Sequence, residues 1–169
     1  VLVRFTSLMG AASLLTTVDA ISNTLLVVLG DPALRATLLD NPARVASLVE
    51  ESVRLESPVA ATSRTVAADT RIGGKEVAEG QRVLLLWGAG NRDGTVFPDA
   101  DRVVLGRRAP HLGWGAGPHA CPGRHIATMT VTTAITTVLT RLPGMALVGT
   151  PGRTFGALRG VPALPVVWP

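Results

Sequence analysis

The chain has 169 residues, 47% of them hydrophobic, and carries 16 Lys+Arg against 12 Asp+Glu, so it fits one unit (residues 1–169), or a piece of something larger, with apolar material enough for a core. Its single cysteine, Cys121, excludes an internal disulfide framework and makes a reducing, cytoplasmic setting the expectation. Lys75 is the only lysine, the arginines are scattered and aromatics reach only 4%, which argues against a nucleic-acid surface, while a mean hydropathy of +0.37 implies apolar surface that meets something outside the chain.

Residues from about Phe5 to Leu29 carry helical spacing without proline, and Gly30-Asp31-Pro32 writes the stop. Asp19, Ser22 and Asn23 interrupt this apolar run, which favours a buried helix over a membrane span. Asp31 is placed to cap a short second helix with Pro32 in its first turn, and Asn41-Pro42 repeats the device ahead of a helix through about Leu55, ended by Pro58. Thr62 to Val66 and Val83 to Trp87 read as strands of a small antiparallel sheet, with turns at Gly73-Gly74 and Glu79-Gly80. From Gly88 to Ala120 no period is sustained, and irregular segments of that length in a compact domain are commonly functional. Helical texture returns from Pro122 to about Leu142, followed by strand-like runs Met145 to Val148 and Leu164 to Val167. The expected class is mainly α in an α+β arrangement: long helices, small antiparallel strands and one glycine-rich loop.

That loop, His111-Leu112-Gly113-Trp114-Gly115-Ala116-Gly117-Pro118-His119-Ala120-Cys121-Pro122-Gly123, carries the chemistry. Its glycines let backbone approach a flat ligand, and its cysteine sits just before a helix, where the dipole and nearby cations favour the thiolate that binds metals. Four zinc ligands could be drawn from His111, His119, Cys121 and His125, but one thiolate with three histidines is unusual for structural zinc and leaves the glycines unexplained.

Trp114-Gly115-x-Gly117-x-His119-x-Cys121-x-Gly123 resembles the haem-binding loop of the cytochrome P-450 family, with Trp114 where phenylalanine is usual. Glu51-Ser52-Val53-Arg54 is similar to the family's Glu-x-x-Arg helix, and Asp101-Arg102 falls where its meander supplies the second arginine of an ion-pair cluster. The resemblance covers nearly the whole chain, as the C-terminal portion of a bacterial-type member. It implies haem b (iron protoporphyrin IX) with Cys121 as proximal iron ligand, a thiolate that favours O–O cleavage. It further implies propionate anchors at Arg64 and His119, Trp114 and Gly123 beside the sulfur, and a cluster of Glu51, Arg54 and Arg102. Val59, Ala60, Ala61, Ala157 and Leu158 would wall a pocket for a small apolar substrate. Thr16, followed by Thr17, would face bound oxygen, although Leu15 stands where the family carries an acid.

The activity so implied is oxidation of a small apolar or natural-product substrate with O2 and electrons from an acidic ferredoxin docking near Arg107, Arg108 and Arg124. A missing N-terminal half, or a second chain, would complete the haem cover, and no membrane or nucleic acid is expected as a partner. Two other readings stand beside it: a non-catalytic relative that stabilises another biosynthetic enzyme such as a glycosyltransferase, and a haem enzyme using peroxide or radical coupling.

Overall fold

The computed structural model describes residues 2–169. Helix α1 (Leu2–Gly30) runs three residues further upstream than the spacing predicts and stops at the expected glycine. The Asp31 carboxylate accepts the Leu34 N–H at 2.9 Å and starts α2 (Pro32–Asp40), satisfying one of the unpaired N–H groups of a helix start. Asn41 departs from expectation: its side chain caps nothing, and a 3-10 turn at Pro42–Arg44 carries the chain into α3 (Val45–Glu56). Ser57, in the left-handed region at φ 42, ends α3 one residue before Pro58.

The strands form three separate two-stranded antiparallel pairs, the small antiparallel sheets expected. Strand β1 (Thr62–Thr65) pairs with β4 (Arg82–Leu85). Strands β2 (Thr70–Ile72) and β3 (Lys75–Val77) form a hairpin turned by Gly73 and Gly74, whose φ of 57 and 82 suit the two-residue turn that matches strand twist. The β4 run stops short of the predicted Trp87 because the indole N–H is taken by the Thr62 hydroxyl at 2.9 Å and the backbone turns into the short helix α4 (Trp87–Gly90). Strands β5 (Ala146–Leu147) and β6 (Val166–Val167) close the chain.

Helix α5 (Arg124–Arg141) begins after Cys121-Pro122-Gly123, which form the turn leading into it. Val131, Ile135 and Leu139 recur at i, i+4 and i+8 and are buried against α1 and α3, with Ala20, Val28, Leu48 and Val49 across from them. Each such side chain contributes about 2 kcal/mol of apolar burial. Thr24 and Ser52 join α1 to α3 by a buried hydroxyl pair at 2.8 Å. Just beyond α5 the Arg35 guanidinium, from α2, donates to the carbonyls of Leu142, Pro143 and Met145 and ties the exit of the helix to α2.

Burial of α1 is confined to its C-terminal half. Leu2, Phe5, Leu8, Leu14 and Leu15 are each more than half exposed, so the expected buried helix is only half realised, because α3 and α5 reach no further along it. By length and composition alone α1 is long and apolar enough to cross a membrane, yet Ala20, Asn23, Thr24 and Val28 lie in the core of the three packed helices.

Candidate functional site

Arg54 is fully buried on α3, and a guanidinium in that position needs an acceptor for each of its five N–H groups. It has them: Glu51 takes two at 2.8 and 3.1 Å, and the carbonyls of Asn91, Ala100 and Arg102 take the others at 2.7 to 2.9 Å. Phe97 lies beneath it, 5.3 Å from ring centroid to guanidinium carbon. Glu51 also accepts the Val104 N–H at 2.9 Å and the Arg107 side chain at 3.0 Å. Burial pushes the Glu51 carboxyl up, but the hydrogen bonds from Arg54, Val104 and Arg107 outweigh it and hold the pKa below the usual carboxylate range. The second arginine expected at Arg102 is therefore Arg107. Arg102 is exposed and gives only its backbone carbonyl, because the meander turns there and returns five residues later to the acid.

The glycine-rich loop lies directly on this base. A Cβ on Gly113 would stand 2.7 Å from Val53 Cγ1 and 2.8 Å from the Val53 carbonyl, so only glycine lets the loop sit this close to α3. Asn91, fully buried, accepts the Leu112 N–H at 2.6 Å and donates to Ser57 at 3.1 Å. Gly115 and Gly117 take φ of 71 and 70, a region that disfavours side chains, and the chain turns back so that the Cys121 N–H reaches the Trp114 carbonyl at 2.8 Å. Cys121 is left exposed, with the ideal Cβ position of Gly123 3.9 Å from its sulfur.

A further acid, which the motif reading missed, ties the loop down. Glu50 accepts the His111 ring at 3.0 Å, the Trp114 indole N–H at 3.1 Å, Arg124 at 2.9 Å and the Thr128 hydroxyl at 3.3 Å. Burial would raise its pKa, but the hydrogen bonds from His111 and Trp114, with the charge of Arg124, hold it at about 2. Its one sequence signal is the pair Glu50-Glu51: consecutive helical residues cannot face the same way, so two adjacent acids serve two different partners. His111 is thereby committed, since Gly113 N–H donates to its Nδ1 at 3.1 Å and its Nε2 faces Glu50. Among the described residues no three His, Cys, Asp or Glu side chains group as metal ligands, which removes the zinc reading.

The other expected residues fall in two groups. Val59 bridges Leu158, and the Ala60 and Ala61 N–H groups both reach the Ala157 carbonyl, at 2.8 and 3.3 Å, so the expected substrate wall is brought together. A cavity of about 430 Å3 is lined by polar side chains including Asn23, Glu56, Arg92, Arg153 and Arg159. Arg64 is exposed on β1 and donates only to the neighbouring Ser63 carbonyl, and His119 is exposed in the 3-10 turn Gly117–His119. The Thr16 hydroxyl donates to the Ala12 carbonyl at 2.6 Å, and Thr17 is half-buried beside it. Arg107 is nearly buried on Glu51, which takes it out of any docking surface, whereas Arg108 is exposed and Arg124 half-exposed on Glu50.

Comparison with known proteins decides the family. The model of the family described as Cytochrome P450 matches residues 25–143. The chain belongs to the cytochrome P450 family. The biotin biosynthesis cytochrome P450 of Bacillus subtilis (strain 168) is 39% identical over 133 residues, 78% of this chain and 34% of that protein. The mycinamicin IV hydroxylase/epoxidase of Micromonospora griseorubida is 37% identical over 161 residues, 90% of this chain and 40% of that one. Among solved structures, P450BioI in complex with hexadec-9Z-enoic acid ligated acyl carrier protein superposes with a TM-score of 0.88 at 36% identity, over 92% of this chain and 41% of that one. The bacillaene polyketide synthase cytochrome P450 PksS of Bacillus subtilis 168 gives 0.90 at 28% identity, over 95% and 43%. The chain thus spans about two-fifths of the length of these cytochrome P450 relatives, and its mainly helical fold with small antiparallel strand pairs is theirs.

Cytochrome P450 membership implies haem b, and the donor set here fits that group. Cys121 is the single thiol, it is exposed, and it sits on a turn whose glycines keep side chains away from a flat ligand. Arg64 and His119 are exposed cationic or hydrogen-bonding groups free of any ion pair among the described residues.

Proposed function

We propose that the chain is the haem-ligating, C-terminal portion of a bacterial-type haem-thiolate oxygenase, with Cys121 as the iron ligand. The observation that carries this is the Cys121 loop: an exposed thiol on a positive-φ glycine turn, fastened to α3 through Gly113, Asn91 and Glu50. Haem, when bound, supplies the redox chemistry with O2. The chain's own part is to hold the sulfur, shield it and steer charge. Arg124, the first residue of α5, stands three residues beyond Cys121. The indole of Trp114, whose N–H is turned to Glu50, packs against the apolar core of the helices, and the Trp114 carbonyl holds the Cys121 N–H. Arg64 and His119 would hold the propionates, Gly123 would keep the approach to the sulfur open, and Thr16 and Thr17 would stand on the oxygen side. The Glu51, Arg54 and Arg107 cluster holds the loop's base.

Val59, Ala60, Ala61, Ala157 and Leu158 offer small apolar contacts, which suits a small apolar or natural-product substrate, a class consistent with relatives named for linalool and mycinamicin IV oxidation. The exposed apolar face of α1 receives the rest of the haem cover from chain outside these residues. Electrons come from an acidic ferredoxin meeting Arg108 and Arg124, and the protein works in the cytoplasm, off the membrane. Leu15 favours one variation: with no carboxylate beside Thr16, the acid of an acid–alcohol pair would be missing, which suits peroxide-driven or radical-coupling chemistry.

The test is a turnover assay of the full-length protein with ferredoxin, its reductase, NADPH and 18O2 over a panel of fatty acids, terpenes and macrolides. Incorporation of one 18O into product is the expected result. Haem-replete protein that oxidises nothing with either O2 or peroxide would contradict it and favour the partner-protein reading.

A further inference from the structure

Two acids stand side by side on α3 and divide the work. Glu51 points into the core, 4% exposed, and holds Arg54 and Arg107. Glu50 is 31% exposed and contributes nothing to that cluster. Its four donors come from both ends of the cysteine loop: His111 and Trp114 upstream of Cys121, Arg124 and Thr128 downstream.

We infer that Glu50 is a positioning residue for Cys121, the clasp that fixes where the thiol stands above α3. The path is short. Glu50 holds the Trp114 side chain, and the Trp114 carbonyl holds the Cys121 N–H at 2.8 Å. On the other side Glu50 holds Arg124, the first residue of α5, whose N–H reaches the Cys121 carbonyl at 3.4 Å. Arg124 also lies over the Trp114 ring at 5.9 Å, so the two arms of the clasp touch. A carboxylate has about four acceptor sites on its two oxygens, and four donors converge here. Three of the donors meet Oε2 and the Thr128 hydroxyl meets Oε1, so glutamine can offer its one oxygen to the three but carries no charge opposite Arg124 and holds them more weakly. The Gly113 N–H meets the Nδ1 of His111, which leaves Nε2 facing Glu50.

The inference rests on the haem-thiolate reading for what the thiol is positioned to do, and its test separates the two. Glu50→Ala and Glu50→Gln are made in the full-length protein. Amide hydrogen exchange is followed over residues 109–123 and, as a control, over α3, together with the absorption spectrum of the reduced, carbon-monoxide-bound form. In Glu50→Ala, exchange across 112–121 is expected to rise at least tenfold with α3 within twofold of wild type, and at least half of the red-shifted Soret absorbance is lost. Glu50→Gln falls between the two, with loop exchange more than twofold above wild type. Loop exchange within twofold of wild type in Glu50→Ala overturns the inference. If Glu50→Ala does not fold, Glu50→Gln decides by the same threshold. A wild-type protein that binds no haem overturns the haem-thiolate reading, while the exchange comparison still decides for or against the clasp.

Discussion

Arg107 and Arg102 lie five residues apart, and only one of them pairs with the buried acid. Arg107 is 8% exposed and donates to Glu51 at 3.0 Å, whereas Arg102 offers Arg54 a carbonyl that any residue would supply. Removing one member of a buried ion pair leaves a charge without its partner and costs about 3 to 5 kcal/mol, while an exposed substitution stays within about 0.5 kcal/mol. Arg107→Ala is therefore expected to lower the urea midpoint strongly and Arg102→Ala hardly at all; equal effects would show that the cluster is drawn wrongly. Glu50 gives a second expectation. Its pKa is lowered from 4.5 to about 2 in the folded chain, so its contribution is fully present above about pH 4.5 and is lost as the pH falls toward 2. The fluorescence of Trp114 should report loosening of the loop across that window, and Glu50→Gln should lack the transition. The pairing of Glu51 with Arg54 was legible in the sequence because its spacing is local. The sequence could not separate Arg107 from Arg102, since that choice depends on how the meander folds back.

At the level of elements, punctuation was readable wherever one residue type does one job. Gly30 ends α1, and Asp31 caps α2 with its own carboxylate. Asn41 looked the same and does otherwise, because Pro42 opens a 3-10 turn whose geometry leaves the side chain without an N–H to accept. Trp87 read as strand by composition, but its indole bond to Thr62 belongs to tertiary structure and sets the β4 boundary. Gly113 is the element-scale counterpart of a core residue: its φ is ordinary, and its need for glycine comes only from the approach of Val53. Gly113→Ala should cost about 1 to 3 kcal/mol, the range for forcing atoms into a packed site. Gly94→Ala, with open space around it, serves as the control, and the comparison is read as thermal midpoints.

Over the whole molecule, three helices make the base and one loop carries the candidate site. α1, α3 and α5 bury a common core, α3 turns Glu50 and Glu51 to opposite tasks, and the loop between α4 and α5 is laid across α3 with its thiol outward. The exposed apolar residues of α1, Phe5 and Leu8 among them, account for the high mean hydropathy and fit a chain that spans about two-fifths of its relatives' length. The position of Cys121 on this base is the centre of the account. The measurement that tests it most directly is the absorption spectrum of the full-length protein, reduced and carbon-monoxide-bound, beside Cys121→Ala. A red-shifted Soret band present in the wild type and absent in the variant is the result predicted. A band that persists in Cys121→Ala, or a wild-type protein that takes up no haem, would contradict it.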